Sequence, residues 1–438
     1  MNKNRREPLV ILFCILAVVN IFWFGHLAIN HATDDKTNED DTVVEDTEGT
    51  EDTEDTEGTK DTEGTEDTED TEDAEDAEDA EDAEDTEDTE DTENIENTDV
   101  YTFYYDQLQA DEKNWYDALY KGLLERNNNI VIEDCEGSSL MKIWLAITLD
   151  HPEIFWVSSY RYLERTLETT TCEVMPEYVY TKEEISKRQD EIGKFTEEFV
   201  EGISSNASDY EKILYTYETL VEHCEYELNA PNNQHIDSVI IGQRTVCGGY
   251  AKTTKYLLDQ LGVEAIYVMG MADNGTGPAL HAWNIVKCED DYYYVDTTWG
   301  DPAYQPGSQK VLEINYDYLC CNEEQLSVTH EMTTEYNYDY EFPACTSLEW
   351  NYYVVNGRYF TEYDADAISA LIKKDIEDNR KVSEFRFSNS SVYQEAKTKL
   401  LDVHFDEGRA WYKEKHGSAA NISYIDGEER NFLIILWQ

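Results

Sequence analysis

Positive charge is what this chain has least of. Its 438 residues hold 33 Lys and Arg against 97 Asp and Glu, a formal net charge of −64. A nucleic-acid partner is excluded on that ground, because lysine and arginine must neutralise the phosphates. Metal motifs are also missing. No CxxC pair and no His/Cys set at ligand spacing occurs, which removes the basis for a structural zinc site. The D-x-[DN]-x-[DN]-G spacing of an EF-hand is absent from the acidic tract, which removes a calcium array. The sequence thus gives no reason to expect a metal or a cofactor.

The N-terminus is poor in small residues at the best candidate leader cleavage site, where Asn30 stands before Thr33, so a cleaved leader is the rival and weaker reading. What it has instead is MNKNRREP followed by an apolar run from Leu9 to Ile29. That run is long enough to cross a bilayer core as a helix. Lys3, Arg5 and Arg6 precede it and acids follow from Asp34. The expectation is a cytoplasmic N-terminus (1–8) and an uncleaved transmembrane signal anchor (9–29). The protein is then a single-pass protein of the cell membrane with its folded region extracytoplasmic. Cys14 has no small residues just before it, which argues against lipid attachment there.

Residues 34–99 hold 36 acids against two lysines and almost no apolar side chains. Repeats of Thr-Glu-Asp cannot bury enough surface to offset the entropy of ordering, and their charges repel one another. This is read as a disordered acidic linker. Eight cysteines lie beyond the anchor, at 135, 172, 224, 247, 288, 320, 321 and 345. Outside the cytoplasm they could pair. If one is a free nucleophile, seven remain, so at most three bridges form and one thiol is left over.

The folded part reads as α+β. At this length two or three folded pieces are expected. A helical N-terminal region is expected over 100–190, opened by Trp115, Leu119, Leu123 and Leu124 at helical spacing, although HPEIFWVSSYRYLERTLETTT within it looks like strand with turns. A core domain follows over 191–340. Thr181–Glu184 (TKEE) and Ser208–Glu211 (SDYE) are capping-box patterns, each opening a helix. In the second helix Ile213, Leu214, Tyr217, Leu220, Val221 and Cys224 share one face. AIYVMGMA, HAWNIVKC and YYYVDTTWGD then read as strands, the last two joined by the turn Glu289-Asp290-Asp291. A small α+β module over 345–438 closes the chain, with YYVVNGRYF, KVSEFRFS and ISYIDGEERNFLIILW as strands and two helices between.

Three residues stand out chemically. Cys247 sits before Gly248 and Gly249 at the start of a helix that runs to Gly262. Unsatisfied N–H groups at a helix N-terminus favour a thiolate and can stabilise an oxyanion. The two glycines let the backbone turn there at little steric cost. His281 opens one strand of the hairpin, and Asp296 lies within a residue or two of the position opposite it on the other. Aspartate is a poor strand residue, and a role in orienting the imidazole explains its presence. Taken singly, each has a plain alternative: a core or disulfide cysteine, a structural histidine, an aspartate capping a turn.

Together, VCGGYAKTTKYLLDQLGV, HAWNIV and YYVDTTWGDP resemble the transglutaminase-like superfamily, in the bacterial branch often found on clostridial cell surfaces. The resemblance covers roughly residues 195–305. It implies a papain-like core with Cys247 as nucleophile, His281 as general base and acid, and Asp296 as orienting carboxylate. It also implies acyl transfer on protein or peptide amides, by hydrolysis or by crosslinking. Two departures stand out. The calcium apparatus of animal members is not recognisable. No tryptophan lies between Trp156 and Trp283 to serve the oxyanion as one does in animal members, which leaves Tyr226 as a candidate substitute. The alternative expectation is a surface binding or scaffold module that keeps the fold without turnover.

Overall fold

The computed structural model describes residues 31–32, 100–166, 169–302, 311–333, 337–418 and 420–437. The expected anchor (9–29) and all of the acidic tract that precedes residue 100 lie outside the described residues. Among the described residues no helix is long and apolar enough to cross a membrane.

The segment 100–190 was expected to be helical, and it is mixed. Helices α1 (Ala110–Leu124) and α2 (Gly137–Asp150) pack with a sheet of β1 (Ile130–Glu133), β2 (Val157–Thr166) and β3 (Thr170–Tyr178). β3 lies between β1 and β2 and is antiparallel to both. The aromatic and β-branched run after His151 supplies β2, because such side chains suit a pleated, half-buried surface. In α1, Leu119 and Leu123 are buried four residues apart, but Leu124 is 45% exposed. One further residue turns the side chain about 100° away from the core. Cys135 and Cys172 lie side by side here, and Cys172 donates through Sγ to the carbonyl of Cys135 at 3.1 Å. All eight described cysteines are free thiols and all are buried.

Both capping boxes form. Thr181 and Ser208 each accept from the backbone N–H three residues on, and Glu184 and Glu211 reach back to the caps. They open α3 (Lys182–Glu201) and α4 (Asp209–His223). Ile213, Tyr217, Leu220 and Val221 face the core along α4. The chain then makes β4 (Glu225–Tyr226), α5 (Ile236–Ile240) and β5 (Arg244–Thr245), with β4 and β5 paired in parallel. Next comes α6 (Cys247–Gln260), which stops where Gly262 takes a φ of +71°.

The central sheet has five antiparallel strands. In spatial order they are β9 (Leu319–Cys321), β8 (Asp291–Val295), β7 (Ala279–Cys288), β6 (Ala265–Ala272) and β10 (His330–Met332). The β7–β8 hairpin turns at Glu289 and Asp290, with Cys288 opposite Asp291. β8 ends sooner than the sequence suggested. Val295, opposite Asn284, is its last paired residue. Asp296 instead caps the short helix α7 (Thr297–Gly300), its side chain accepting from the N–H groups of Thr298 and Trp299.

The C-terminal part forms a four-stranded sheet. Its order is β11 (Tyr359–Phe360), β12 (Val382–Phe387), β14 (Phe432–Trp437), β13 (Ile422–Gly427). Helices α8 (Ala365–Glu377), α9 (Ser390–Lys399) and α10 (Phe405–His416) accompany it; the sequence reading had not anticipated α10. The expected strand YYVVNGRYF divides. Asn351 accepts from the N–H of Tyr353 and starts a helical turn at Tyr352–Val355, and only Tyr359–Phe360 is extended. A short apolar, β-branched run has no period that tells strand from helix, and the cap decides it. The described residues from 100 onward belong to one compact unit. Val311 and Leu312 pack with Ile434 and Leu436, so the last sheet shares a core with the loop after α7.

Candidate active site

Cys247 is the first residue of α6, after Val246 in extended conformation. The N–H groups of Gly249 and Tyr250 already bond the carbonyl of Val246. Those of Cys247 and Gly248 lie at the open end of the helix, where N–H groups have no partner within it. The glycines serve close approach and not, as the sequence suggested, a sharp turn, since neither has a positive φ. A Cβ on Gly248 would stand 1.8 Å from Oε1 of Gln234, and one on Gly249 1.9 Å from Oγ1 of Thr245.

Hydrogen bonds hold this helix against the elements that carry the other two residues. Asn284, on the strand of His281, donates through Nδ2 to the carbonyls of Ala251 at 3.0 Å and Ile266 at 3.3 Å. Thr254 Oγ1 lies 2.9 Å from Oγ1 of Thr297, the residue after Asp296. Tyr250 donates to Asp301 at 2.8 Å. The residues around each motif therefore set the mutual position of the three chemical groups.

His281 Nε2 lies 2.8 Å from Asp296 Oδ2, and Cys247 is close enough to the ring to act on its charge. Because Nε2 faces the carboxylate, Nδ1 is the nitrogen left for the thiol. Burial opposes the imidazolium, but Asp296 and Cys247 outweigh it and push the His281 pKa up to about 10. Asp296 is 1% exposed and is held well below the usual carboxylate range. Burial works against its charge, and the two histidines that face it overcome that penalty.

The second of those histidines was not found in the sequence reading. His330, on β10, places Nε2 3.0 Å from the same Oδ2 of Asp296. Its Nδ1 lies 2.8 Å from Oγ1 of Thr329. Burial, partly offset by Asp296, pushes its pKa down to about 4, so it is a neutral donor to the carboxylate. Oδ1 of Asp296 accepts from the N–H groups of Thr298 at 2.9 Å and Trp299 at 3.1 Å. The carboxylate thus accepts four hydrogen bonds. From His330 the network continues outward, through Thr329 to Tyr318 at 3.4 Å and from Tyr318 to Arg430 at 2.5 Å, in the turn before the last strand. His330 sits in VTHEMT, a stretch with no motif of its own. Its role comes from strand pairing across 34 residues of sequence.

One ligand atom each from His281, Asp296 and His330 lie within 4.8 Å of one another, a grouping that could hold a metal ion. The donor chemistry fits hydrogen bonds better. Separations of 2.8 and 3.0 Å suit N–H···O⁻ contacts, and a metal would need both Nε2 atoms stripped of their protons.

Aromatic rings enclose the histidines. Trp299 packs on His330 at 4.6 Å and on His281 at 5.9 Å, and Trp283 meets His330 edge-on at 5.0 Å. The indole N–H groups of Trp283 and Trp299 are buried with no acceptor among the described residues. Burial, then the charges of Cys247 and Asp296, raises the pKa of Tyr226.

Residues 195–297 match the model of the Transglutaminase-like superfamily, a span that contains Cys247, His281 and Asp296 but not His330. Kyphoscoliosis peptidase of the mouse is 27% identical over 106 residues, which cover 21% of this chain and 16% of that protein. Two solved structures show a partial likeness. One, described as a TGase, has 15% identity and a TM-score of 0.24, covering 42% of this chain and 53% of the other. The second, a candidate cysteine protease from Cytophaga hutchinsonii, has 16% identity and a TM-score of 0.22, covering 32% and 62%.

Proposed function

We propose that this protein is a cysteine acyl-transfer enzyme acting on protein or peptide amides, with Cys247, His281 and Asp296 as its reacting and orienting groups. The observation that carries the reading is the single imidazole of His281, hydrogen-bonded to a buried carboxylate and raised in pKa by that carboxylate and by the neighbouring Cys247. The match of residues 195–297 to the Transglutaminase-like superfamily supports it.

In the first half of the reaction the Cys247 proton rests on Nδ1 of His281, as the raised pKa of that imidazole favours, and the sulfur attacks the amide carbonyl. The oxyanion meets the N–H groups at the start of α6, with the Tyr226 hydroxyl as a further donor. The C–N bond then breaks as the imidazolium protonates the leaving amine, and a thioester remains on Cys247. In the second half water or an amine attacks the thioester, His281 accepts its proton, and the thiolate leaves. Asp296 holds the Nε2–H tautomer and the imidazolium without exchanging the proton.

We place the folded region outside the cell, tethered through the apolar run 9–29 and the acidic tract. The support is the apolar length of that run and its one-sided basic flank. The test of the catalytic reading is turnover of glutamine-containing peptides by the full chain, with release of amine or ammonia followed over time. Activity that disappears in Cys247→Ala and His281→Ala supports the reading. Equal turnover by wild type and Cys247→Ala refutes it.

A further inference from the structure

Against the start of α6 lies a cavity of about 660 Å³. Trp144, Val157, Tyr267 and Met269 give it an apolar wall, and Asn233 and Gln234 a polar one. Two of its lining residues reach Gly248, the residue after the nucleophile. Gln234 Oε1 is 1.8 Å, and the Tyr267 hydroxyl 3.4 Å, from where a Cβ on Gly248 would stand. Tyr267 also feels the charge of Cys247.

The charge on the lining departs from that of the molecule. Acids outnumber bases 97 to 33 in the chain, yet none of the described lining residues is acidic. One lining residue, Lys252, is a cation, and it stands on α6 five residues after Cys247. No carboxylate partners it among the described residues. Burial alone acts on its ammonium, pulling the pKa down to about 8, so the charged form still dominates at neutral pH. His235, in the same wall, supplies no counter-charge. Burial and the nearby Lys252 hold its pKa down to about 3, and its Nδ1 faces the carbonyl of Phe155.

Lys252 is half-buried in this wall with no counter-ion among the described residues, and a ligand carboxylate would supply the missing charge. We infer that this cavity is the substrate subsite for an acidic side chain close to the scissile amide, with Lys252 as its counter-ion and Asn233 and Gln234 as hydrogen-bonding neighbours. The inference rests on the reading of Cys247 as the nucleophile. The apolar wall receives the substrate residues that flank the acid. Lys252 is a specificity residue here and takes no part in the bond-making steps. A charge-assisted hydrogen bond of this kind gives a preference of roughly 10- to 100-fold over a neutral isostere.

The test uses three matched peptides, Ac-Ala-Phe-Xaa-Gln-Ala-amide, with Xaa as Glu, Gln or Lys. Binding is measured by calorimetry on the full chain carrying Cys247→Ala, so that no turnover intervenes. The Glu peptide is expected to bind most tightly and the Lys peptide most weakly. Adding Lys252→Met should bring Glu and Gln level, and adding Lys252→Glu should reverse the order in favour of Lys, an outcome that a misfolded protein cannot give. Equal affinities for the three peptides, or no binding of any at millimolar concentration, overturn the inference. Turnover by the Cys247 protein is measured separately. Selective binding without turnover leaves the acid subsite standing and removes the catalytic reading, while turnover without charge selectivity does the reverse.

Discussion

His330 places its Nε2 3.0 Å from Oδ2 of Asp296, the same oxygen that faces His281 at 2.8 Å. A carboxylate with two imidazole donors on one oxygen and two backbone N–H donors on the other has no freedom to rotate. Its charge is spent on holding one ring, His281, at one angle. His330 is therefore a positioning residue that acts through Asp296.

That role has a pH signature. The folded pKa of His330, about 4, lies below its ordinary value of 6.5, so the unfolded chain binds more protons between those two pH values. The stability contributed by neutral His330 is present above pH 6.5 and is lost as pH falls through about 4. Urea unfolding of wild type and His330→Gln should differ in acid slope over that window by up to one proton, about 1.4 kcal/mol per pH unit. Parallel slopes would show that His330 is not held neutral by the fold.

His281 has the opposite sign. Its folded pKa, about 10, lies above 6.5, so its charged contribution is present below 6.5 and lost as pH rises through about 10. Asp296→Asn removes the charge behind that shift. It should slow turnover by roughly 10⁴-fold, the scale of the serine-protease precedent. Stability should change much less, because an amide oxygen can still accept from Thr298 and Trp299. Asp296→Ala should lose the cap and leave buried donors unpaired, at about 3–5 kcal/mol. Near-full activity in Asp296→Asn would remove Asp296 from the triad.

Gly270 marks a packing constraint on the site. It lies opposite His281, and a Cβ there would stand 2.2 Å from the backbone oxygen of Glu331 and 2.5 Å from Cη2 of Trp283. The first contact is backbone on the strand that carries His330, so it cannot move aside cheaply. Gly270→Ala should lower stability by about 1–3 kcal/mol through overpacking and disturb Trp283 fluorescence. A variant with unchanged stability and unchanged emission would contradict this geometry.

The proposed tether is tested on intact cells. Added protease should remove the folded region and leave a small membrane-bound stub. A protein shed into the medium with its N-terminus near residue 33 would show that the apolar run is a cleaved leader.

Local signals made much of the fold legible. The capping residues Thr181 and Ser208, the stop at Gly262 and the Glu289–Asp290 turn each act through neighbours in sequence, and each appears where the pattern put it. The three residues of the proposed triad were visible for a related reason, since each stands in a short stretch with an unusual composition. His330 was not visible, because a three-residue strand added at the sheet edge brings it to Asp296. Asp296 itself was seen, but for a partial reason. Its carboxylate caps α7 as well as facing the imidazole, and only the observed end of β8 at Val295 reveals the cap. The Lys252 cavity is a tertiary feature, assembled from α2, β2, β6 and α6 together with their loops.

The most direct test of the account is the fate of the Cys247 sulfur. The full chain is incubated briefly with a slowly turned-over peptide ester and quenched in acid, and its intact mass and tryptic map are recorded. A gain of one acyl group is expected, mapped to Cys247, absent in Cys247→Ala and strongly slowed in His281→Ala. An acyl group found on another residue, or turnover that persists in Cys247→Ala, would contradict it.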